Sequence, residues 1–62
     1  MPSITFDINK LSEDQKEQIV YEFTKSASKI TGIPEEFFYV FINEFPDENV
    51  GVGGKLMSKK VK

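Results

Sequence analysis

The sequence predicts an α+β fold in which a strand, a helix and a second strand form one β-α-β unit, followed by a short carboxyl-terminal hairpin. Three features support this prediction: an alternating pattern over residues 3–9, a helical pattern that begins behind Ser12, and an aromatic and β-branched run over 37–45. Because a helix connects the two strands, we expect them to be parallel and the crossover to be right-handed.

The first strand is predicted at residues 3–9. Ile4, Phe6 and Ile8 share one face of it, and polar residues occupy the other face, which is typical of a half-buried strand. Pro2 stands just before this strand. A proline is tolerated at that position even though it has no N–H to donate to the sheet.

The helix is predicted to begin after Ser12 and to stop at Gly32. Ser12 and Gln15 have the spacing of a capping box, and Gly32 is a typical helix-ending residue, with Pro34 shortly beyond it. The apolar residues that recur at helical spacing, and that we expect to face the sheet, are Ile19, Val20, Phe23, Ala27 and Ile30.

The second strand, predicted at 37–45, is apolar on both faces. A strand covered on one side only would carry polar residues at every second position, so we expect both faces to contact protein. One helix covers one face, and two strands alone do not make a stable sheet. The pattern therefore predicts that the chain associates with further copies of itself.

Length and composition lead to the same expectation. A chain of 62 residues without Cys or His has neither disulfides nor the usual nitrogen and sulfur metal ligands to stabilise it. We expect one domain over 1–62. The sequence has no membrane-length apolar run and no signal-peptide pattern, and with no Cys it is compatible with a reducing compartment, so we expect a cytoplasmic protein without a membrane partner.

Several chemistries are disfavoured by the residues present. The glycines at 51, 53 and 54 predict a tight turn or short hairpin, since GVGGKLMS lacks phosphate-loop spacing and follows the helix instead of preceding one. No His is available to activate a serine nucleophile. The chain holds ten acidic and eight basic residues, and four of its lysines lie in 55–62. These lysines leave salt-sensitive nucleic-acid binding as an alternative, although a basic stripe with stacking aromatics is missing.

Pro2 is the remaining candidate for catalysis. Removal of an initiator Met before proline would leave a free secondary amine at the start of an apolar strand. An α-amino group titrates near pH 8, and burial lowers its pKa, so a neutral amine could act as a general base. With Met1 attached, the same nitrogen is an amide of no useful basicity.

Over nearly its whole length the chain resembles the 4-oxalocrotonate tautomerase family. The resemblance rests on the order and spacing of the segments MP, SEDQKEQIV, GIPEEF, VFINEF and NVGVGGKL. It implies protomers that pair into four-stranded sheets and assemble as homohexamers, as trimers of dimers. It also implies that Pro2 is the general base in enol–keto interconversion of a small unsaturated acid, with no cofactor.

The chain departs from this family at the family's arginines, because it contains none. The positions that match the two family arginines carry Leu11 and Tyr39, and Val50 stands where the family has an aromatic residue. Arginine binds a carboxylate through a planar two-pronged contact that lysine does not reproduce. We therefore expect inefficient turnover of the family's prototype dicarboxylate substrate.

Other residues are candidates for the roles that the family's arginines play. We expect the Tyr39 hydroxyl to donate to the developing oxyanion, and Lys10 or Lys55 to attract a carboxylate. The residues expected to line the pocket are Ile8, Leu11 and Val50. The alternative is that Tyr39 only packs in an interface, that the lysines are solvated, and that the protein is a catalytically idle oligomer with the same fold.

Overall fold

The computed structural model describes residues 1–59 and contains the β-α-β unit with a hairpin behind it. Its strands and helix are β1 (Ser3–Ile8), α1 (Glu13–Thr31), β2 (Tyr39–Glu44), β3 (Gly51–Val52) and β4 (Lys55–Leu56). One-turn 3-10 helices lie at Glu35–Phe37, Asp47–Asn49 and Met57–Lys59. The part of the basic tail that includes Lys60 and Lys62 lies outside the described residues.

The two long strands pair in parallel, as predicted. The register runs from Ser3 opposite Tyr39 to Ile8 opposite Glu44. The prediction that the second strand begins at residue 37 was wrong by two residues, because Glu35–Phe37 forms a 3-10 turn. The turn is closed by the Phe38 N–H, which donates to the Glu35 carbonyl over 3.0 Å, so the ladder begins only at Tyr39.

Both predicted ends of the helix are confirmed. The Ser12 hydroxyl accepts from the Gln15 N–H over 3.2 Å, and the Gln15 side chain accepts from the Ser12 N–H over 2.9 Å. Gly32 ends the helix in the left-handed region, at φ +80°. Within residues 1–59, no helix combines the length and the apolar character needed to cross a membrane.

The helix packs on one face of the β1–β2 sheet. Phe6 and Phe23 meet edge to face there, with ring centroids 5.5 Å apart. Half-buried apolar residues on this contact are Ile4, Ile8, Ile19, Ala27, Val40 and Ile42. None of the described residues is fully buried, so one protomer has only a thin core.

The predicted packing face of the helix was wrong at two of its five positions in the single protomer. Val20 is 39% exposed, because it lines a groove between α1 and the Glu35–Phe37 turn. Ile30 is 84% exposed. A 19-residue helix is about 28 Å long and six-residue strands span about 20 Å, so the last turn extends past the sheet.

The opposite face of the sheet is uncovered in one protomer. Tyr39 and Phe41 lie on it, and each is about half exposed, with relative exposures of 51% and 47%. Farther along this face the Asn43 side chain donates to Asp7 across the strands over 3.0 Å. The face is therefore apolar at the start of β2 and polar toward its end.

The carboxyl-terminal segment forms the expected hairpin. Gly51 pairs with Leu56 and Val52 with Lys55 in an antiparallel ladder. Gly53 and Gly54 make the two-residue turn, with φ of +61° and +86°, which is the backbone that favours glycine in such turns.

Replacing Gly32 by alanine tests the helix stop. A Cβ in the left-handed region is strained, so Gly32→Ala is expected to lower the free energy of unfolding by about 1 kcal/mol. Gly51→Ala is the matched control, since its new Cβ would make only an ordinary 3.7 Å contact with the Lys55 carbonyl. Denaturant unfolding at equal protein concentration measures both, and an equal loss in the two variants would contradict the explanation.

Glu44 links the end of β2 to the start of the helix. One carboxylate oxygen accepts from the Leu11 N–H over 2.9 Å, and the other lies 3.2 Å from the Lys16 ammonium. The Leu11 hydrogen bond and then the Lys16 contacts lower the pKa of Glu44 below its ordinary value of 4.5. A lowered carboxyl pKa stabilises the fold above the pKa of the unfolded chain, and this contribution is lost as pH falls through the folded value.

Glu44→Gln is therefore expected to lower the melting temperature near pH 7. The difference from the parent should shrink as pH falls below the ordinary pKa of 4.5 toward the lowered pKa of Glu44 in the folded protein. The effect should be small because the ion pair is partly exposed. Glu48→Gln is the control, since Glu48 is exposed and makes no side-chain hydrogen bond within residues 1–59. A gap between parent and Glu44→Gln that stays constant with pH would refute the assignment.

Candidate active site

Pro2 and Tyr39 are neighbours at the starting end of the sheet. The Tyr39 N–H donates to the Pro2 carbonyl over 3.1 Å, which continues the parallel ladder by one step. Pro2 is half-buried. A cleft of about 430 Å³ lies beside it, and its lining residues are Met1, Pro2, Ile33, Glu36, Phe37 and Tyr39.

The wall of this cleft is built by the segment that leaves the helix. The Ser28 hydroxyl donates to the Ile33 carbonyl over 2.6 Å, and the Ile33 N–H donates to the Thr31 hydroxyl over 3.2 Å. These bonds hold Ile33 directly after the Gly32 stop. The 3-10 turn then brings Glu36 and Phe37 to the same cleft, so its lining is largely apolar with one carboxylate and one phenol.

Met1 covers part of the cleft in this chain. It is 81% exposed and makes little contact with the rest of the fold. The Pro2 nitrogen is an amide while Met1 is attached. Loss of Met1 would leave a secondary amine in the wall of the cleft without disturbing the strand that begins at Ser3.

Tyr39 lines the cleft and carries a phenol hydroxyl. Its ring stacks on the neighbouring Phe41 ring, with centroids 6.4 Å apart and planes 13° from parallel. Within the described residues, no hydrogen bond engages the hydroxyl. The ring is therefore supported while the hydroxyl is free to donate to a ligand.

The other predicted site residues lie away from Pro2 in the same chain. Ile8 ends β1, about 20 Å from Pro2. Lys10 and Leu11 follow it, and the Leu11 N–H is bound to Glu44. Val50 precedes the hairpin, where its carbonyl accepts from the Met57 N–H over 2.7 Å. Lys55 is exposed in β4. One protomer thus brings together only Pro2 and Tyr39 of the predicted set.

Three lining residues, Ile33, Glu36 and Phe37, were not predicted from the sequence. The predicted topology could have placed these residues at the site. In a parallel β-α-β unit the second strand starts beside the start of the first, so the segment just before β2 must return to Pro2. The residues of GIPEEF could have been placed at the site on this ground alone.

The described part of the chain contains no cluster of side chains suited to bind a metal ion. No three carboxylates between residues 1 and 59 lie close enough together to hold an ion. The cleft itself contributes a single one, Glu36. The polar side chains in the lining of this cleft are the phenol of Tyr39 and the carboxylate of Glu36.

Comparison with known proteins identifies the family. The family model described as Tautomerase enzyme matches residues 2–60. A probable tautomerase of Bacillus cereus is 38% identical over 61 residues, which cover 97% of this chain and all of the relative. A probable tautomerase of Streptococcus pyogenes is 35% identical over 60 residues, 95% of this chain and 98% of the relative. The chain belongs to the tautomerase family.

Solved structures agree in fold. The crystal structure of YwhB, described as a homologue of 4-oxalocrotonate tautomerase, superimposes with a TM-score of 0.86 at 30% identity, covering 97% of this chain and 100% of its own. DmpI from Archaeoglobus fulgidus gives 0.81 at 36% identity, covering 94% and 100%. The predicted family and the β-α-β fold with its hairpin are confirmed.

Proposed function

We propose that the protein is a tautomerase whose general base is the Pro2 amine, exposed by removal of Met1. Its substrate would be a small unsaturated acid such as a 2-hydroxy-dienoate or an enolpyruvate, interconverted between enol and keto forms. The observation that carries this proposal is the position of Pro2, which lies half-buried in a cleft with Tyr39 in a chain of the tautomerase family.

The proposed reaction consumes no proton. The neutral Pro2 amine takes the proton of the enol hydroxyl, and the resulting ammonium returns a proton to a carbon of the conjugated chain. As negative charge develops on the substrate oxygen, the Tyr39 hydroxyl donates a hydrogen bond to it. No electron acceptor or further reactant is needed, because the product is an isomer of the substrate.

The surroundings of Pro2 suit this role. Ile33 and Phe37 form apolar parts of the cleft. Apolar surroundings disfavour the charged form of an amine, so the free Pro2 amine is expected to titrate below the ordinary value of about 8. A base that is neutral near pH 7 is then available without any neighbouring histidine.

The remaining predicted residues require a second protomer. We propose a homohexamer built from dimers, in which β1 of one protomer pairs antiparallel with β1 of the next. This pairing would bring the Ile8 end of the partner strand to Pro2, together with Lys10, Leu11 and Val50, as substrate-binding residues. The uncovered apolar face at Tyr39 and Phe41 and the thin core of the single chain support such association. Cytoplasmic localisation is part of the same proposal.

Trimming of Met1 is the first test. Trimmed protein is expected to ketonise a 2-hydroxy-dienoate, with kcat/KM that rises with pH through the pKa of the free amine and then levels off. Protein that retains Met1 should be inactive. Pro2→Ala in trimmed protein should lower kcat/KM by at least about 100-fold. Mass spectrometry checks the trimming, and trimmed protein that turns over no enol would favour the idle oligomer.

Tyr39→Phe tests the oxyanion donor. The variant keeps the ring on Phe41 and removes only the hydroxyl, so kcat/KM is expected to fall by about 10- to 100-fold. Tyr21→Phe is the matched control, because Tyr21 is exposed on α1 and lies outside the Pro2 cleft. Steady-state kinetics on the trimmed proteins measures kcat/KM of both variants. An unaltered kcat/KM for Tyr39→Phe would rule out the Tyr39 hydroxyl as the donor.

A further inference from the structure

Glu36 is an acidic residue that lines the cleft beside Pro2, and it also lines the groove between the Glu35–Phe37 turn and α1. Among the described residues that line the cleft it is the single carboxylate, and its neighbours there are apolar apart from the Tyr39 phenol. Glu36 is exposed in the Glu35–Phe37 turn. Within residues 1–59 neither an ion pair nor a side-chain hydrogen bond engages it. No lysine of the described residues therefore forms an ion pair with Glu36 in the same protomer.

We propose that Glu36 is a specificity-determining residue that selects enols with one carboxylate and an apolar remainder over enols with two carboxylates. This inference rests on the proposed function and specifies its substrate class. A second carboxylate entering the cleft would be repelled by the like charge of Glu36. An apolar end would instead contact Ile33 and Phe37.

The absence of arginine makes this selection stronger. The chain has eight basic residues, all of them lysines. Lys16 is already paired with Glu44, at 3.2 Å, and none of the described lysines lines the Pro2 cleft of the same protomer. A substrate can direct one carboxylate toward a lysine outside the cleft. A second carboxylate inside the cleft has no cationic partner among the residues of the same protomer that line it.

The same charge acts on the general base. A carboxylate near an amine favours the protonated form and raises the amine's pKa, which opposes the effect of the apolar walls. Among the described residues that line the cleft, those with titratable side chains are Glu36 and Tyr39. Removing the Glu36 charge should therefore lower the pKa of the Pro2 amine as well as change substrate preference.

Glu35 provides a matched control. It is adjacent to Glu36 in the same 3-10 turn and is likewise exposed. It lines the groove between the turn and the helix, with Val20 and Tyr21, and does not line the Pro2 cleft. Glu35→Gln thus removes the same net charge from almost the same place in the chain without altering the cleft.

The experiment compares trimmed parent, Glu36→Gln and Glu35→Gln on 2-hydroxypenta-2,4-dienoate and 2-hydroxyhexa-2,4-dienedioate, which differ by one terminal carboxylate. The parent is expected to prefer the monocarboxylate. Glu36→Gln should reduce this preference in kcat/KM by about three- to tenfold, and Glu35→Gln should leave it nearly unchanged. The difference between parent and Glu36→Gln should shrink in high salt, because salt screens an exposed charge.

A second measurement does not depend on turnover. NMR titration of trimmed protein labelled with 15N-proline should show a lower pKa of the Pro2 amine in Glu36→Gln, by about half a pH unit or more, and a smaller change in Glu35→Gln. Equal effects of the two variants, or an unchanged substrate preference in Glu36→Gln, would overturn the role of Glu36 and leave the Pro2 mechanism standing. If Pro2→Ala retained full activity, the proposed function itself would fail.

Discussion

The parallel pairing of β1 with β2 is the contact on which the rest of the structure depends. It sets Ser3 opposite Tyr39, and the ladder continues backward through the Tyr39 N–H to the Pro2 carbonyl. Because parallel strands start at the same edge, the segment between helix and second strand must return to the first residues of the chain. The cleft is therefore a consequence of topology. The residues that line it on this side follow the helix stop at Gly32 and belong to the segment that returns to Pro2.

The same unit is incomplete as a single protomer. One helix covers one face of two strands, and none of the described residues reaches full burial. The second face carries Tyr39 and Phe41, so the ring support of the candidate oxyanion donor belongs to a surface that further copies would cover. The apolar residues that are expected to drive association therefore lie beside those proposed to act on substrate.

The charged residues at the candidate site differ from those expected of a site that binds a dicarboxylate. A site for two carboxylates needs two fixed cations, and arginine provides them best because its planar guanidinium matches a carboxylate. Here the cleft presents a phenol and a carboxylate instead. The proposed proton transfer needs only a base and a hydrogen-bond donor, whereas the proposed substrate preference depends on the charge of the residues that line the cleft.

Local sequence signals determined the elements of this protein. The strand alternation, the Ser12–Gln15 capping box, the Gly32 stop and the glycine turn all act through neighbouring residues, and the family resemblance pointed to Pro2. The start of β2 is set by the local 3-10 turn at Glu35–Phe37, and the presence of Glu36 in the cleft follows from the predicted β-α-β topology. The exposure of Val20 and Ile30 was decided only by the tertiary structure. These features depend on how long the helix is relative to the strands and on where the chain returns. Both are distances between segments that are far apart in sequence, and no local pattern records them.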